Sequence, residues 1–405
     1  MDMKSIIEQL TTQQIWEEHL AYRLKKGRFN WQEFEQTDSF VEGQQYLPLA
    51  QQVVDGGSLS IPRKQMVNKL GTNKKRIVYS FKPEEMLLLK VLSHLLYKYD
   101  AHFAENCYAF RRGIRVSDAV RRIYRSVRKR GLWAYKLDIH NYFNSISIPI
   151  LLPQLKLLMA DDPQLYNFFE RLLSDDRCEY EDTIIHEQRG AMAGIPVSSF
   201  LANVYLSEMD HYFKDQGVIY ARYSDDIIIF AEDLEQLQFY REKILDFLHR
   251  HKLEVNPTKE KIYSPNDPYD FLGFRCGDDY IDISPSGVDK MKGKIRRKSR
   301  ALLRRKQRKG LSNDCVMSDL IRYFNRKFFD NNLDNTLTWS RWFFPVISST
   351  AALREIDHYM QQSIRVLATG RHNKSNYRIT YAQLKSLGYK SLVHAFYEQR
   401  EMEAD

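Results

Sequence analysis

The chain has 405 residues, 43% hydrophobic and 28% charged, with 61 Lys and Arg against 52 Asp and Glu for a net charge of +9. This composition is globular and soluble, long enough for two or three subdomains, and its charge favours a polyanionic partner. Four scattered cysteines without a CxxC pair argue against a zinc site or disulfide framework; the most apolar run, Met86 to Leu96, is interrupted by Lys90, Ser93 and His94. A reducing, cytoplasmic setting with no membrane contact is the expectation.

Residues 1 to 45 read as one or two amphipathic helices, with Ile6, Ile7, Leu10, Ile15 and Leu20 near helical spacing and Trp31, Phe34 and Phe40 packing the arm onto the body. Between Ser60 and Phe81, Gly71 and Asn73 predict a turn joining two strands, ringed by Lys69, Lys74, Lys75 and Arg76. A basic hairpin over a cleft suits a triphosphate, although a solvated hairpin has the same composition. A long helix is expected from Pro83 to about Tyr99. A second follows from Ser117 to Arg130, where Arg121, Arg122, Arg125, Arg128, Lys129 and Arg130 fall within ten positions that contain no acid.

Trp133 to Leu137 reads as a strand that delivers Asp138 at its end, where α/β and α+β folds place chemistry. Phe143 lies five residues on, in range of a nucleotide sugar if Asp138 binds its metal, and is otherwise an ordinary core ring. The segment RGAMAGIPVSSFLANVYL (Arg189 to Leu206) joins a small-residue loop to an apolar helix. Gly190 and Gly194 there allow close backbone approach, and Ser198 and Ser199 are candidate helix caps.

Arg222 to Phe230, RYSDDIIIF, sets two adjacent acids between a short apolar strand and a β-branched one. This reads as a hairpin with the carboxylates of Asp225 and Asp226 at its tip, though Ser-Asp-Asp is also ordinary turn composition. A helix is expected from Leu234 to His251. Lys259 follows in a connecting turn, within reach of a nucleotide's leaving phosphate, and YDFLGFRC (Tyr269 to Cys276) precedes a hairpin about Gly277 and Asp278. From Lys290 to Lys309 the chain carries twelve Lys or Arg and no acid, the strongest charge signal for a phosphate backbone. The last hundred residues interleave aromatics with Arg, a pattern shared by base-stacking surfaces and by plain core. No cluster marks an appended nuclease.

Asp138, Asp225 and Asp226 make chemical sense together if the fold brings them to one point. Carboxylates that hold two Mg²⁺ ions clamp the attacking and leaving oxygens of an in-line phosphoryl transfer.

At this point the order of segments resembles a bacterial reverse transcriptase of the group II intron and retron lineage. KLDIHNYF (Lys136 to Phe143) resembles the first palm motif, GIPVSSFLAN (Gly194 to Asn203) the second and YSDD (Tyr223 to Asp226) the YxDD motif. NPTKEK (Asn256 to Lys261) and FLGF (Phe271 to Phe274) resemble the fourth palm motif and the primer grip, and FAENCYAFRRG (Phe103 to Gly113) resembles a fingers sequence. The resemblance implies an α+β right-hand polymerase: an N-terminal arm to residue 45, fingers over 46–131, a palm over 132–284 with a fingers-side insertion at about 151–190, and a basic helical thumb over 285–405. It implies Asp138, Asp225 and Asp226 as catalytic metal ligands with the Ile139 carbonyl as a further one. Nucleotide contacts fall to Lys69, Arg76, Phe143 as steric gate, Gly194 and Lys259. Nucleic-acid contacts fall to Arg121, Arg125, Phe271, Gly273, Lys294, Arg297 and Arg304.

The implied reaction is RNA-directed DNA synthesis from dNTPs with two Mg²⁺ ions, Mn²⁺ being an alternative. Ala193 stands where many relatives carry Gln, and Ser199 where proline is common, departures that bear on template contacts rather than on the reaction. The tail segments RWFFPVISS, LATGRHNKSNYR and LKSLGYKSLVHAFY are similar to stand-alone reverse transcriptases of antiphage defence. That likeness implies a noncoding RNA template, a cDNA product, and room for oligomerisation and an effector protein encoded nearby. Untemplated or protein-primed synthesis on the same fold is the first rival. The second is an RNA-binding scaffold, which would have no use for three acids that repel its ligand. An RNA-synthesising polymerase, the third, is disfavoured by Phe143.

Overall fold

The computed structural model describes residues 4–25, 31–68, 75–329 and 338–403. The chain divides into two compact units, Met1–Asn266 and Asp267–Asp405.

In the first unit the N-terminal arm is three helices, Ile6–Gln9, Gln13–Lys25 and Trp31–Glu42, one more than the one or two expected. The first closes after a single turn, where the Thr11 hydroxyl donates to the Glu8 carbonyl. Asp162 ties the arm down. Its carboxylate accepts from the Ser5 hydroxyl at 2.5 Å and the Ile6 amide at 2.8 Å while capping its own helix, Pro163–Ser174, through the Leu165 amide. Trp16 stacks on Tyr46 at 4.4 Å between ring centres. The helix that starts at Pro83 runs to Leu95 and then tightens into a 3-10 turn, Leu96–His102.

Two sheets form this unit. Strands β1 (Arg63–Asn68) and β2 (Lys75–Ser80) pair antiparallel, as the sequence predicts, with the turn between them outside the described residues. Strand β3 (Trp133–Asp138) belongs to the second sheet, while β4 (Arg177–Tyr180) and β5 (Thr183–His186) extend the first to the order β2-β1-β4-β5. The second sheet is completed by β6 (Tyr220–Tyr223), β7 (Asp226–Ala231) and β8 (Lys261–Tyr263) in the order β6-β7-β3-β8, all antiparallel. Ile227, Ile228 and Ile229 are completely buried, so β7 is covered on both faces. A continuous β-branched run is the sequence such a strand calls for. The helix Leu234–Arg250 packs on β3 and β7.

The second unit opens with a three-stranded antiparallel sheet of β9 (Tyr269–Phe271), β10 (Phe274–Cys276) and β11 (Ile281–Ile283). The basic helix Pro285–Lys309 follows, capped by Ser284 and ended by Gly310 at φ +62°. Helices Asn313–Phe329, Ala351–Thr369 and Leu392–Met402 pack with it around Phe324, Ile356, Ile364 and Phe396. Buried Asp357 holds the last helix, accepting from the Tyr389 hydroxyl at 2.8 Å, the Ser391 hydroxyl at 2.6 Å and the Leu392 amide at 2.9 Å. No helix among the described residues is long and apolar enough to cross a membrane.

Candidate active site

Strands β6 and β7 pair from Tyr220 with Ile229 up to Tyr223 with Asp226, which leaves Ser224 and Asp225 as a two-residue turn. Ser224 takes φ +62°, a left-handed conformation that costs a non-glycine residue on the order of 1 kcal/mol. Strand β3 lies on the other side of β7 with Asp138 opposite Asp226, and the Ile139 amide donates to the Asp225 carbonyl at 3.0 Å. Three acids distant in sequence therefore meet at one end of one sheet. Around Ile139 the hydrogen bonds run from the His140 amide to the Glu254 carbonyl and from the Asn256 amide to the Asp138 carbonyl. The Ile139 carbonyl takes part in neither.

The acids feel one another and two lysines. Lys259 Nζ sits 2.5 Å from Asp138 Oδ2, on the acid itself rather than in open space for a phosphate. Lys136, two residues before Asp138 and hence on the same strand face, brings its Nζ within 3.3 Å of Asp226 Oδ1. Asp226 Oδ1 is buried, and the Lys136 ammonium is the positive charge that faces it. Burial pushes the Asp226 carboxyl up to about 6, against the pull of Lys136. Burial and then the Asp138 charge push Asp225 up, with Lys259 and Arg76 pulling the other way.

Among the described residues no three His, Cys, Asp or Glu side chains are already closed around a cation position. The donor chemistry nevertheless fits a hard divalent ion: oxygens alone, on carboxylates whose mutual repulsion a cation would relieve.

Beneath the hairpin lies a buried polar network that the sequence reading passed over. Arg222 is fully buried and grips Asp210 with two nitrogens, Nε at 2.8 Å and Nη2 at 2.5 Å. Its Nη1 reaches the Ser224 carbonyl at 3.3 Å, in the turn itself. The Tyr220 hydroxyl donates to Asp210 at 3.0 Å, and Asn203 Nδ2 donates to the Ala109 carbonyl at 2.7 Å. An arginine inside the otherwise apolar run from Val218 to Tyr223 was the available signal.

On the other flank, the loop before helix Ser198–Tyr205 threads between β2 and the turn after β3. Gly190, at φ +57°, lies so close that a Cβ would stand 2.5 Å from the Phe143 carbonyl oxygen. Gly194, at φ +109°, meets the Tyr79 carbonyl in the same way. Asn144 stitches the three pieces together, donating to the Ile77 carbonyl and accepting from the Ala193 amide. Phe143 is half-buried, edge-on to Phe110 at 6.1 Å. Ser198 does not cap the helix. Its hydroxyl donates back to the Met192 and Ile195 carbonyls, and Val197 occupies the cap position. A cavity of about 480 Å³ opens beside Tyr223, walled by Phe110, Arg111, Arg115, Pro196 and Ser199.

Asp138, Ile139, Asp225, Asp226 and Lys259 thus come together, with Arg76 in electrostatic reach and Phe143 and Gly194 joined through one loop. Lys69 falls outside the described residues. Arg121 and Arg125 lie on a separate helix, Val116–Val127, whose Arg122 is engaged with Glu105 at 2.8 Å. In the second unit Phe271 is buried, Gly273 makes a φ +88° turn, and Arg297 and Arg304 are exposed on the basic helix. Lys294 is half-buried there, its proton affinity lowered by burial and by Lys327, Arg297 and Lys290.

The family model described as reverse transcriptase (RNA-dependent DNA polymerase) matches residues 61–276, just over half of the chain. Protein YkfC of Escherichia coli K12 is 23% identical over 220 residues, 44% of this chain and 56% of that protein. The retron Ec86 reverse transcriptase of Escherichia coli is 26% identical over 106 residues, 25% of this chain and 33% of that one. The polyprotein P3 of Commelina yellow mottle virus is 33% identical over 88 residues, 22% of this chain and 5% of the polyprotein. This chain therefore spans about half the length, or less, of the curated relatives it matches. Among solved structures, apo telomerase from Candida tropicalis aligns with a TM-score of 0.45 at 13% identity, over 56% of this chain and 55% of that one.

Proposed function

The chain belongs to the reverse transcriptase (RNA-dependent DNA polymerase) family, and from that premise we propose that it copies an RNA template into DNA at the Asp138, Asp225 and Asp226 site. The observation that carries the reading is the register that sets Asp138 opposite Asp226 beside the Asp225 turn. Divalent ions held by these carboxylates and the Ile139 carbonyl would supply charge neutralisation for phosphoryl transfer. The lysines have a place in this scheme. Lys136 and Lys259 pair with two of the acids, and the half-exposed Lys259 would swing to a nucleotide's phosphates.

Phe143 closes the sugar side of the nucleotide position, supported by Phe110 and by the Gly190 loop, and excludes a 2′-hydroxyl. Arg76 lies on the phosphate side. The cavity beside Tyr223, with Arg111 and Arg115 on its wall, suits the template strand. The four-part division into arm, fingers, palm and thumb is the naming that follows, with Arg121, Arg125, Lys294, Arg297 and Arg304 on the nucleic acid and Phe271 and Gly273 at the primer.

The finer reading is a defence enzyme in the cytoplasm that copies a noncoding RNA encoded nearby. The likeness of the C-terminal segments to stand-alone defence reverse transcriptases supports it. Sequencing the RNA and DNA that co-purify with the wild type and with Asp225→Ala/Asp226→Ala tests this reading. DNA complementary to one discrete RNA, present in the wild type alone, is the expected result. DNA of simple sequence with no matching RNA would favour untemplated synthesis instead.

A further inference from the structure

Buried charges in folded proteins are paired, because an uncompensated ion loses its hydration for nothing in return. Arg189 departs from that rule. It is 4% exposed, and among the described residues it forms no ion pair within 4.0 Å and its buried Nη1 has no hydrogen-bond partner. Arg171, on the helix Pro163–Ser174, likewise has a buried Nε without an acceptor. The two arginines line one cavity, whose other walls mix Ser58 and Ser60 with apolar Leu59, Phe81, Phe168 and Leu172.

One acid also lines this cavity, Asp175, and it is committed elsewhere. Its carboxylate takes Arg177 Nε at 3.0 Å, Arg177 Nη2 at 2.8 Å and the Arg177 amide at 2.9 Å. Asp176, next along, pairs with His186 at 2.8 Å. Burial lowers the proton affinity of Arg189, and the charges of Asp175 and Asp176, with the Cys178 and Tyr79 side chains, oppose it only in part. The cavity is about 20 Å³, room for one water-sized group such as a single oxygen, and it is partly open to solvent.

We propose that this cavity is an anion site that takes one oxygen of a phosphoryl group against Arg189 and Arg171, the rest of the group lying outside it. Two guanidiniums on one cavity wall, each with an unpartnered N–H, suit the oxygens of a phosphate. The site is separate from the three acids, yet Arg189 directly precedes Gly190, whose backbone rests on Phe143 and Asn144. An anion held at Arg189 therefore braces the loop that supports the sugar side of the candidate active site. The group's source is either a nucleic-acid strand or a free phosphate such as a nucleotide's.

The test uses the full chain, melted in sodium chloride and in sodium phosphate at matched pH and ionic strength. The wild type should show a saturable rise in Tm of several degrees with millimolar phosphate. Arg171→Gln should abolish the rise, and Arg189→Gln should do the same; if the latter does not fold, Arg171→Gln alone decides. An equal rise in wild type and variant, or none in the wild type, overturns the site and leaves its donors to water. Binding of a single-stranded RNA 12-mer across a salt series then separates the sources. A slope lower by about 0.7 in Arg171→Gln marks a strand phosphate, and an unchanged slope beside a lost Tm rise marks a free anion.

Discussion

Asp226 shows at the scale of one residue what burying a carboxylate does to stability. Its carboxyl titrates near 6 in the fold against 3.8 for an ordinary aspartate, chiefly because it is buried. The folded state thus holds this proton more tightly than the unfolded chain does. The stability linked to it is complete below pH 4 and is lost as pH rises through about 6. The loss is on the order of 2–3 kcal/mol. In EDTA, Asp226→Asn should remove that slope, melting higher than wild type at pH 7.5, and should abolish nucleotide incorporation. Added Mg²⁺ should stabilise the wild type more at pH 7.5 than at pH 5. A variant that melts lower at pH 7.5 would show that Lys136, not burial, governs the group. Phe143 gives a second test: Phe143→Ala should raise ribonucleotide incorporation relative to deoxynucleotide by tenfold or more, measured as a ratio of kcat/KM. Unchanged discrimination would remove it from the sugar position.

The decisive element is the β6–β7 hairpin and the ion pair beneath it. Arg222 binds Asp210 with two nitrogens and the Ser224 carbonyl with a third, so it supports a turn whose middle residue is strained. Removing one partner of a fully buried pair typically costs 3–5 kcal/mol, because the other charge is left stranded. Arg222→Gln should therefore lower the denaturation midpoint by that equivalent. The double variant Arg222→Met/Asp210→Leu should recover much of the stability yet leave kcat depressed, since the turn loses its support.

The hairpin itself was legible in the sequence, because a β-branched run after two acids leaves few other structures open. Its neighbours were legible for the same reason: Trp133 to Leu137 ends on an acid, and the strand pairing places that acid opposite Asp226. The floor was not. Nothing local links Arg222 to Asp210, twelve residues earlier on the helix Ser207–Asp215, until tertiary packing buries both. Ser198 misled because a serine at a loop-to-helix junction has the look of a cap, whereas here its hydroxyl turns back to brace the preceding loop. The lysine pairings were hidden for a related reason. Lys136 shares a strand face with Asp138 by the period of two, but the pairing with Asp226 depends on register.

At the scale of the whole molecule, positive charge is organised rather than spread. On the helix Pro285–Lys309 some cations are used internally: Lys292 pairs with Glu355, Arg305 with Asp319, and Lys306 donates to the Leu367 and Ala368 carbonyls. Among the described residues Lys294, Arg297 and Arg304 have no such acid partner, and Lys294 is crowded by like charges. A polyanion relieves that crowding. Exchanging these three for Gln should lower the salt slope of binding to a primed RNA template by two to three, whereas Lys292→Gln with Arg305→Gln should change it by less than one. Equal effects would dissolve the distinction. The charge run was visible in the sequence, but its sorting into internal and outward-facing cations was not, because the acids that consume some of it lie on other helices.

The most direct measurement is dNTP incorporation by the purified chain on a primed RNA of mixed sequence with Mg²⁺, followed by sequencing of the product. DNA complementary to the template is expected from the wild type and none from Asp225→Asn/Asp226→Asn. Product whose sequence ignores the template, or equal product from both proteins, would contradict it.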